Sequence, residues 1–303
     1  AGKDRVRVNG AKGRAPTDSY KVSATYLDGL RNMAFLTIAG EQAAAKARRT
    51  GEALLQRMAR MLAEAGLPPF SETRIEVIGA EHMFGAHAQP TSREVVLKLA
   101  IKTPSKPAAE LFAREFAAAG TSMAPGTTGL VGGRPTPAPV IRLFSFLIPK
   151  AEVAAVMRVG DEDAAVELPT AGGFDTTTLG PARHFAAGAG GGGTHRVPLI
   201  RLAHGRSGDK GDKANIGVIA RKPEFLPLLS AWLTPERVAE HFKHNAPSRV
   251  ERFDLPGANA MNFVLHDVLG GGGMASLRTD NLAKCFAQVL LAMDVPVPDD
   301  LAL

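Results

Sequence analysis

Apolar and polar positions alternate with a two-residue period over residues 5–10, 20–27, 33–38, 73–78, 95–102 and 140–148, and each run predicts a half-buried strand. Elsewhere the period changes. Leu54, Leu55, Met58, Met61, Leu62 and Ala65 recur at helical spacing, predicting a helix over residues 41–65 that Gly66 and Pro68 bring to an end. A second helix is predicted over residues 106–119. After the opening strands the order is α, β, β, α, β, which suits an antiparallel sheet with two helices on one face, a sandwich of ferredoxin-like type.

The pattern returns in smaller form near the C-terminus. Strands are predicted at residues 197–203, 214–221, 249–255 and 261–266, and a helix near 224–233. Another helix starts with Thr234 as N-cap and Pro235 at its first position. A last one, over residues 281–293, carries Leu282, Cys285, Phe286, Val289, Leu290 and Met293 on one face. Between the two halves, residues 186–193 read A-A-G-A-G-G-G-G, a composition that neither packs nor holds a helix and so predicts a flexible tether. The expected organisation is an α+β sandwich over residues 1–185, a linker over 186–194 and a second domain over 195–303. The fold class is α+β, two ferredoxin-like α/β sandwich domains with mainly antiparallel sheets.

Composition narrows the function. The chain has 303 residues, 45% of them hydrophobic and 22% charged, as in ordinary globular proteins. Its net charge of +6 is spread along the chain, and two Tyr and one Trp leave little to stack on bases, so nucleic acid is not an expected partner while small polyanions are. One cysteine, Cys285, excludes an internal disulfide framework and a paired-cysteine zinc site. The longest apolar run, residues 140–148, is broken by Arg142 and Ser145, so no membrane association is expected. The sequence shows no secretory leader, which points to the cytoplasm. It opens at Ala1, close to the first predicted strand, and this suggests that something upstream has been removed or belongs to another chain.

The densest chemistry lies at residues 204–217, H-G-R-S-G-D-K-G-D-K-A-N-I-G, between two strand-like runs. Gly205, Gly208 and Gly211 can take positive φ and expose successive N–H groups, which with Arg206, Lys210 and Lys213 would form an anion-binding concavity. Asp209 and Asp212 would act as a base, as ligands for a hard cation, or as ion-pair partners that hold the loop. A long hairpin with solvated charges accounts for the same residues. Residues 124–135 form a glycine-rich loop that would cradle a phosphate on backbone N–H groups or serve as a plain connection; it matches neither a P-loop nor a dinucleotide fingerprint and precedes a strand. Residues 269–273, L-G-G-G-G, precede a helix whose N-terminus would take either an anion or Asp280 as its cap. His82 and His87, in H-M-F-G-A-H, are candidates for acid–base work near neutral pH. His241 and His244 have helical spacing but no third metal ligand nearby, Cys285 reads as a small buried thiol, and His266 with Asp267 reads as a surface ion pair.

Several motifs together resemble the acyclic terpene utilisation (AtuA-like) family. They are residues 204–217, L-P-G-A-N-A-M-N-F-V-L at 255–265, the glycine run at 269–273 and S-L-R-T-D-N-L-A-K at 276–284. Earlier stretches at residues 4–14, 21–29 and 124–135 resemble the same family. The resemblance spans essentially the whole chain and implies a C-terminal ferredoxin-like domain and a place in the breakdown of branched acyl-CoA compounds. It also implies a large N-terminal portion that is absent from this sequence, so a companion N-terminal chain or portion of the same family is an expected partner. Two functions follow. One is an enzyme or enzyme subunit with hydratase or carbon–carbon lyase chemistry on an acyl-CoA or other anionic small molecule, needing no cofactor and no metal. The other is a non-catalytic assembly or regulatory subunit of a larger acyl-CoA-processing complex. Asp209, Asp212 and His82 are the candidate catalytic residues. His204, Arg206, Ser207, Gly208, Lys210, Lys213, Asn215, Asn262 and Gly271 are the candidate substrate contacts. A homo-oligomer is expected.

Overall fold

The computed structural model describes all residues except 1, 3, 6, 182, 183, 186–192, 194, 300, 302 and 303, so nearly all of the expected tether lies outside the described residues. The chain divides into two compact units, residues 26–142 with 183–303 and residues 1–25 with 143–182.

In the larger unit, β1 (Ser19–Ala39), α1 (Ala43–Glu64), β2 (Glu72–Ile78), β3 (Glu94–Thr103), α2 (Lys106–Ala117), a short α3 (Ala119–Ser122), β4 (Thr127–Val131) and β5 (Ala138–Pro149) follow one another, with β1 and β5 continuing into the smaller unit. The sheet order is β2-β3-β1-β4, with β5 also pairing β1, and β1/β3, β2/β3 and β1/β4 are antiparallel. This is the strand order of a ferredoxin-like sandwich. Strand alternation sends Leu36, Ile38, Leu97, Leu99 and Ile101 into a core beneath α1 and α2. Ala47, Leu54, Met58 and Leu62 form the buried face of α1. Gly51 lies where that helix meets β2, and a Cβ there would stand 3.1 Å from Ile75 Cδ1.

The smaller unit, taken by itself, contains the outer ends of β1 and β5 and a hairpin of β6 (Ala155–Val159) and β7 (Glu162–Val166), which turns at Gly160 with φ 63°. Lys150 N donates to the Asp18 carbonyl at 2.8 Å.

The second core of the larger unit is built from β8 (His195–Pro198), β9 (Ala203–Lys210), β10 (Lys213–Ala220), α4 (Leu226–Trp232), α5 (Pro235–His241), β11 (Val250–Leu255), β12 (Ala260–Leu265), α6 (Phe286–Leu291) and β13 (Asp294–Val297). Its main sheet runs β11-β12-β10-β9, and β13 pairs β8. Ile216, Val218, Phe263, Leu265, Phe242, Phe286 and Leu290 fill this core. Thr234 caps α5 by accepting from Arg237 N, as the sequence predicts. No helix among the described residues is long and apolar enough to cross a membrane.

Several local expectations change. Residues 20–27 and 33–38 belong to one strand, because Gly29, at φ 86°, keeps the chain going past Thr103 instead of reversing it; a Cβ there would lie 2.9 Å from the Thr103 carbonyl oxygen. The described residues of 5–10 form no strand, since no neighbour offers them a ladder. The glycine-rich connection at 124–135 contains β4. The last helix is only Phe286–Leu291, with Asp280 capping the turn that leads into it by accepting from Lys284 N at 2.7 Å and Cys285 N at 2.8 Å. Its expected tail carries on into β13, whose Pro296 is tolerated because the ladder has only two strands.

Candidate active site beside Glu76 and His82

The face of the first sheet turned away from α1 and α2 carries charge. Glu76 faces Lys98 and Glu72 faces Lys102 in register across β2 and β3. The pair at the centre is sealed. Glu76 is 3% and Lys98 4% exposed. Lys98 Nζ donates to Glu76 Oε2 at 2.9 Å, to the Leu277 carbonyl at 2.8 Å and to Thr279 Oγ1 at 3.1 Å. Thr279 donates to Glu76 Oε2 from its N–H at 2.9 Å and its hydroxyl at 2.6 Å, and Arg74 Nε donates to Oε1 at 2.8 Å. The S-L-R-T-D stretch is therefore a strap pinned across this face. Burial pushes the Glu76 carboxyl up, but the bonds from Arg74, Thr279 and Lys98 outweigh it and hold it at about 2.

A cavity of about 500 Å³ opens beside this cluster, of the size that holds a small ligand. Arg48 from α1, Arg74 and Glu76 from β2, His82 and Met83 from the following 3-10 turn, His244 and Asn245, Arg278 from the strap, and Cys285 and Phe286 line it. His82 Nε2 stands 3.6 Å from Glu76 Oε1. Burial lowers the His82 pKa, Glu76 opposes this, and Arg74, Arg48 and Arg278 add to the lowering, so the imidazole is neutral at pH 7. Arg278 is pushed down to about 10 by burial and by Arg74, against the pull of Glu76, Glu72 and Asp212. The Cys285 thiol is pushed up by burial and by Asp280, and thus stays protonated.

The His82–His87 turn forms one wall and is clamped by histidines. His244 Nε2 donates to the Met83 carbonyl at 3.0 Å, His87 Nε2 to the His241 carbonyl at 3.1 Å and His241 Nε2 to the Val289 carbonyl at 2.9 Å. His87 stacks on His241 with ring centroids 4.1 Å apart. Burial brings His241 down to about 4. Gly85, at φ 55° and ψ −121°, lets this turn lie against His244, where a Cβ would be 2.1 Å from the ring. Among the described residues no cluster of His, Cys, Asp and Glu is arranged to hold a metal ion.

The candidates in residues 204–217 are placed on a tight hairpin, with Gly211 and Asp212 as its turn. Gly205 and Gly208 are extended and only Gly211 has positive φ, at 69°, so the row of outward N–H groups expected of a loop is not formed. His204, Arg206, Lys210 and Lys213 are exposed, and Arg206 and Lys210 are about 13 Å apart along one strand face. Ser207 is buried and accepts from Ala287 N at 2.8 Å, joining the hairpin to α6. A Cβ at Gly208 would come within 3.0 Å of Lys284 Nζ. Asn215 donates to Asn262 Oδ1 at 3.1 Å across β10 and β12. Asp209 stands 3.9 Å from Lys284 Nζ. Asp212 Oδ1 accepts from Leu269 N at 3.0 Å and Gly271 N at 2.9 Å, so the glycine run closes on a carboxylate of the chain itself. His266 pairs at 2.6 Å with Glu251, not with its neighbour Asp267, because β11 brings Glu251 alongside.

Of the three candidate catalytic residues, His82 alone lines the cavity. Sequence reasoning overlooked Glu76, Lys98, Arg74, Arg48 and Arg278. The available signal was three charges among apolar residues in two strands, Arg74 and Glu76 in T-R-I-E-V-I and Lys98 in V-V-L-K-L-A.

The family model described as acyclic terpene utilisation family protein AtuA matches residues 1–159, and the AtuA ferredoxin-like domain matches residues 197–296. The chain belongs to the acyclic terpene utilisation family. The cavity of this AtuA-family chain takes its walls from both matched regions, with Glu76 and His82 in the first and Arg278 in the second. No curated protein matches the chain. Among solved structures, the de novo designed protein Ferredog-Diesel is similar over 44% of this chain and 99% of its own, at 13% identity and a TM-score of 0.22, too low to carry an argument.

Proposed function

We propose that the protein is an enzyme, or an enzyme subunit, acting on a branched acyl-CoA in acyclic terpene utilisation, by hydration or by carbon–carbon lysis. The observation that carries this is the neutral His82 held 3.6 Å from an ionised Glu76 inside a cavity walled by arginines. Both reactions need a base near a thioester and an environment that favours negative charge on its oxygen. His82 takes the proton, from water or from a substrate hydroxyl. Glu76 stabilises the imidazolium that results, and the positive field of Arg48, Arg74 and Arg278 favours the enolate. The exposed Arg206, Lys210 and Lys213 of the hairpin offer charge to the CoA phosphates, and His204 on the same strand offers a polar contact.

The test is turnover of a branched 2-enoyl-CoA and of the matching 3-hydroxyacyl-CoA by the intact chain and by His82→Gln. Loss of about 100-fold or more with unchanged melting temperature is expected, with an acid limb on the activity profile below pH ~6.5 as His82 protonates. Unchanged turnover in His82→Gln removes the base assignment, and no turnover of either thioester, with or without a companion chain, removes the enzyme reading.

The alternative, a non-catalytic assembly subunit, draws on the smaller unit, where Phe144, Leu147, Val156, Met157 and Val159 are each at least half exposed. A companion N-terminal chain or a second copy would cover them. Native mass spectrometry of the purified protein decides this, and a lone monomer at working concentration counts against it.

A further inference from the structure

The arginines in the cavity wall differ in how they are used. Arg74 is bonded to Glu76. The half-buried Arg278 guanidinium has no hydrogen bond or ion pair among the described residues, although its backbone is fixed on both sides by the bonds of Leu277 and Thr279 to Lys98 and Glu76. Arg48, on the same cavity, has none either. Glu76, Glu72 and Asp212 act on Arg278 only through space, and Arg74 opposes them, so an oxyanion that bonds directly to this half-buried guanidinium gains charge-assisted hydrogen bonds that no group of the chain supplies among the described residues. The apolar part of the wall is Ala44, Val77, Ala80, Met83, Phe286 and Val289, and its two carboxylates are already bonded, Glu76 to Arg74, Thr279 and Lys98, and Asp280 to Lys284 N and Cys285 N.

We infer that the cavity is a binding site for an amphipathic oxyanion, a carboxylate or phosphate whose head lies between Arg278 and Arg48 and whose hydrocarbon part runs along Val77, Met83 and Phe286. This deepens the proposed function, on which it rests only for the location of the site, by stating that the ligand carries a standing negative charge there in addition to any that develops during reaction. The site also couples to the base. Arg278 is one of the charges that lower His82, so an anion that neutralises it raises the His82 pKa.

The experiment uses the full chain and four probes, octanoate, octyl phosphate, octanol and inorganic phosphate. Binding is measured by calorimetry, and the His82 ring is followed by NMR titration, its signals assigned with His82→Gln. Octanoate or octyl phosphate is expected to bind at least tenfold tighter than octanol and to raise the His82 pKa. The tighter of the two identifies the head as carboxylate or phosphate. Arg278→Ala and, independently, Arg48→Ala on the exposed side of α1 are each expected to lose at least tenfold of that affinity, while Arg158→Ala in the smaller unit changes nothing. The inference is overturned if neither amphiphile outbinds octanol, if inorganic phosphate binds as tightly as octyl phosphate, or if both Arg278→Ala and Arg48→Ala keep parental affinity. His82→Gln separates this from the catalytic reading: octanoate binding that depends on Arg278 stands whatever that variant does to turnover, and lost turnover without amphiphile binding leaves the base assignment intact and removes the anion site.

Discussion

Glu76→Gln removes one charge and keeps the shape of the side chain, so it isolates what the ionised carboxylate does in the strap. Holding this carboxyl at about 2 instead of 4.5 corresponds to about 3 kcal/mol of native-state stability. Lys98, 4% exposed, would keep its bonds to Leu277 and Thr279 but lose its counter-charge, and with the one glutamine oxygen turned to the donors on Oε2, Arg74 would face an NH2 in place of its acceptor. A loss of about 3 kcal/mol in a chain of this size lowers the melting temperature by roughly 5–10 °C. The sign with pH follows from the direction of the shift. A carboxyl depressed in the folded state contributes fully above its unfolded value and loses that contribution as pH falls through the folded one, so the difference between parent and variant should be largest above about pH 4.5 and shrink toward pH 2. Thermal unfolding from pH 7 down to 2.5 measures it. Glu76→Gln/Lys98→Met should be less damaging than Glu76→Gln alone, because removing both charges leaves neither stranded. A melting temperature within about 2 °C of the parent at pH 7 for the single variant, or a gap that does not narrow on acidification, would refute the argument.

Two further substitutions test other parts of the frame. Gly85→Ala should cost about 2 kcal/mol or more, since it forces a Cβ into His244 at a backbone conformation that favours glycine, and should speed amide exchange in the His82–His87 turn; a variant as protected as the parent would show that the turn does not need the contact. Asp212→Ala should cost about 1–3 kcal/mol by leaving Leu269 N and Gly271 N without their acceptor, whereas Asp212→Asn retains an oxygen there and should cost less than about 1 kcal/mol; equal losses would contradict the capping role.

The periodicity of the chain located both sandwiches because their cores are simple: apolar residues alternate on β2, β3, β10 and β12, and recur every third or fourth place on α1. Errors collected where one residue's effect depends on a distant partner. Asp28 with Gly29 looks like a turn, yet Thr103 and Pro104 lie close against Gly29 and the strand runs on. The prolines around Val295 argue against a strand until His195–Pro198 supplies an edge to pair with. Glu76 and Lys98 are 22 residues apart in sequence, and nothing local says that they face each other or that Thr279, 203 residues away from Glu76, will close over them.

Residues 204–217 show the same dependence on distant partners. Glycines, lysines and aspartates at close spacing are what an anion cradle needs, but they are also what a tight hairpin needs when its turn must bind a neighbouring loop. The glycine run at 269–273 does hold an oxyanion on its N–H groups, and that oxyanion is Asp212. A motif of this composition therefore specifies the chemistry of a contact without specifying whether the partner is a ligand or the protein. What separates the two cases is satisfaction: Asp212 and Ser207 have their partners, while the Arg278 guanidinium has no bonded acceptor among the described residues. A cation without a bonded acceptor in the wall of a cavity is a stronger indication of a site than a dense motif whose groups are already bonded to one another.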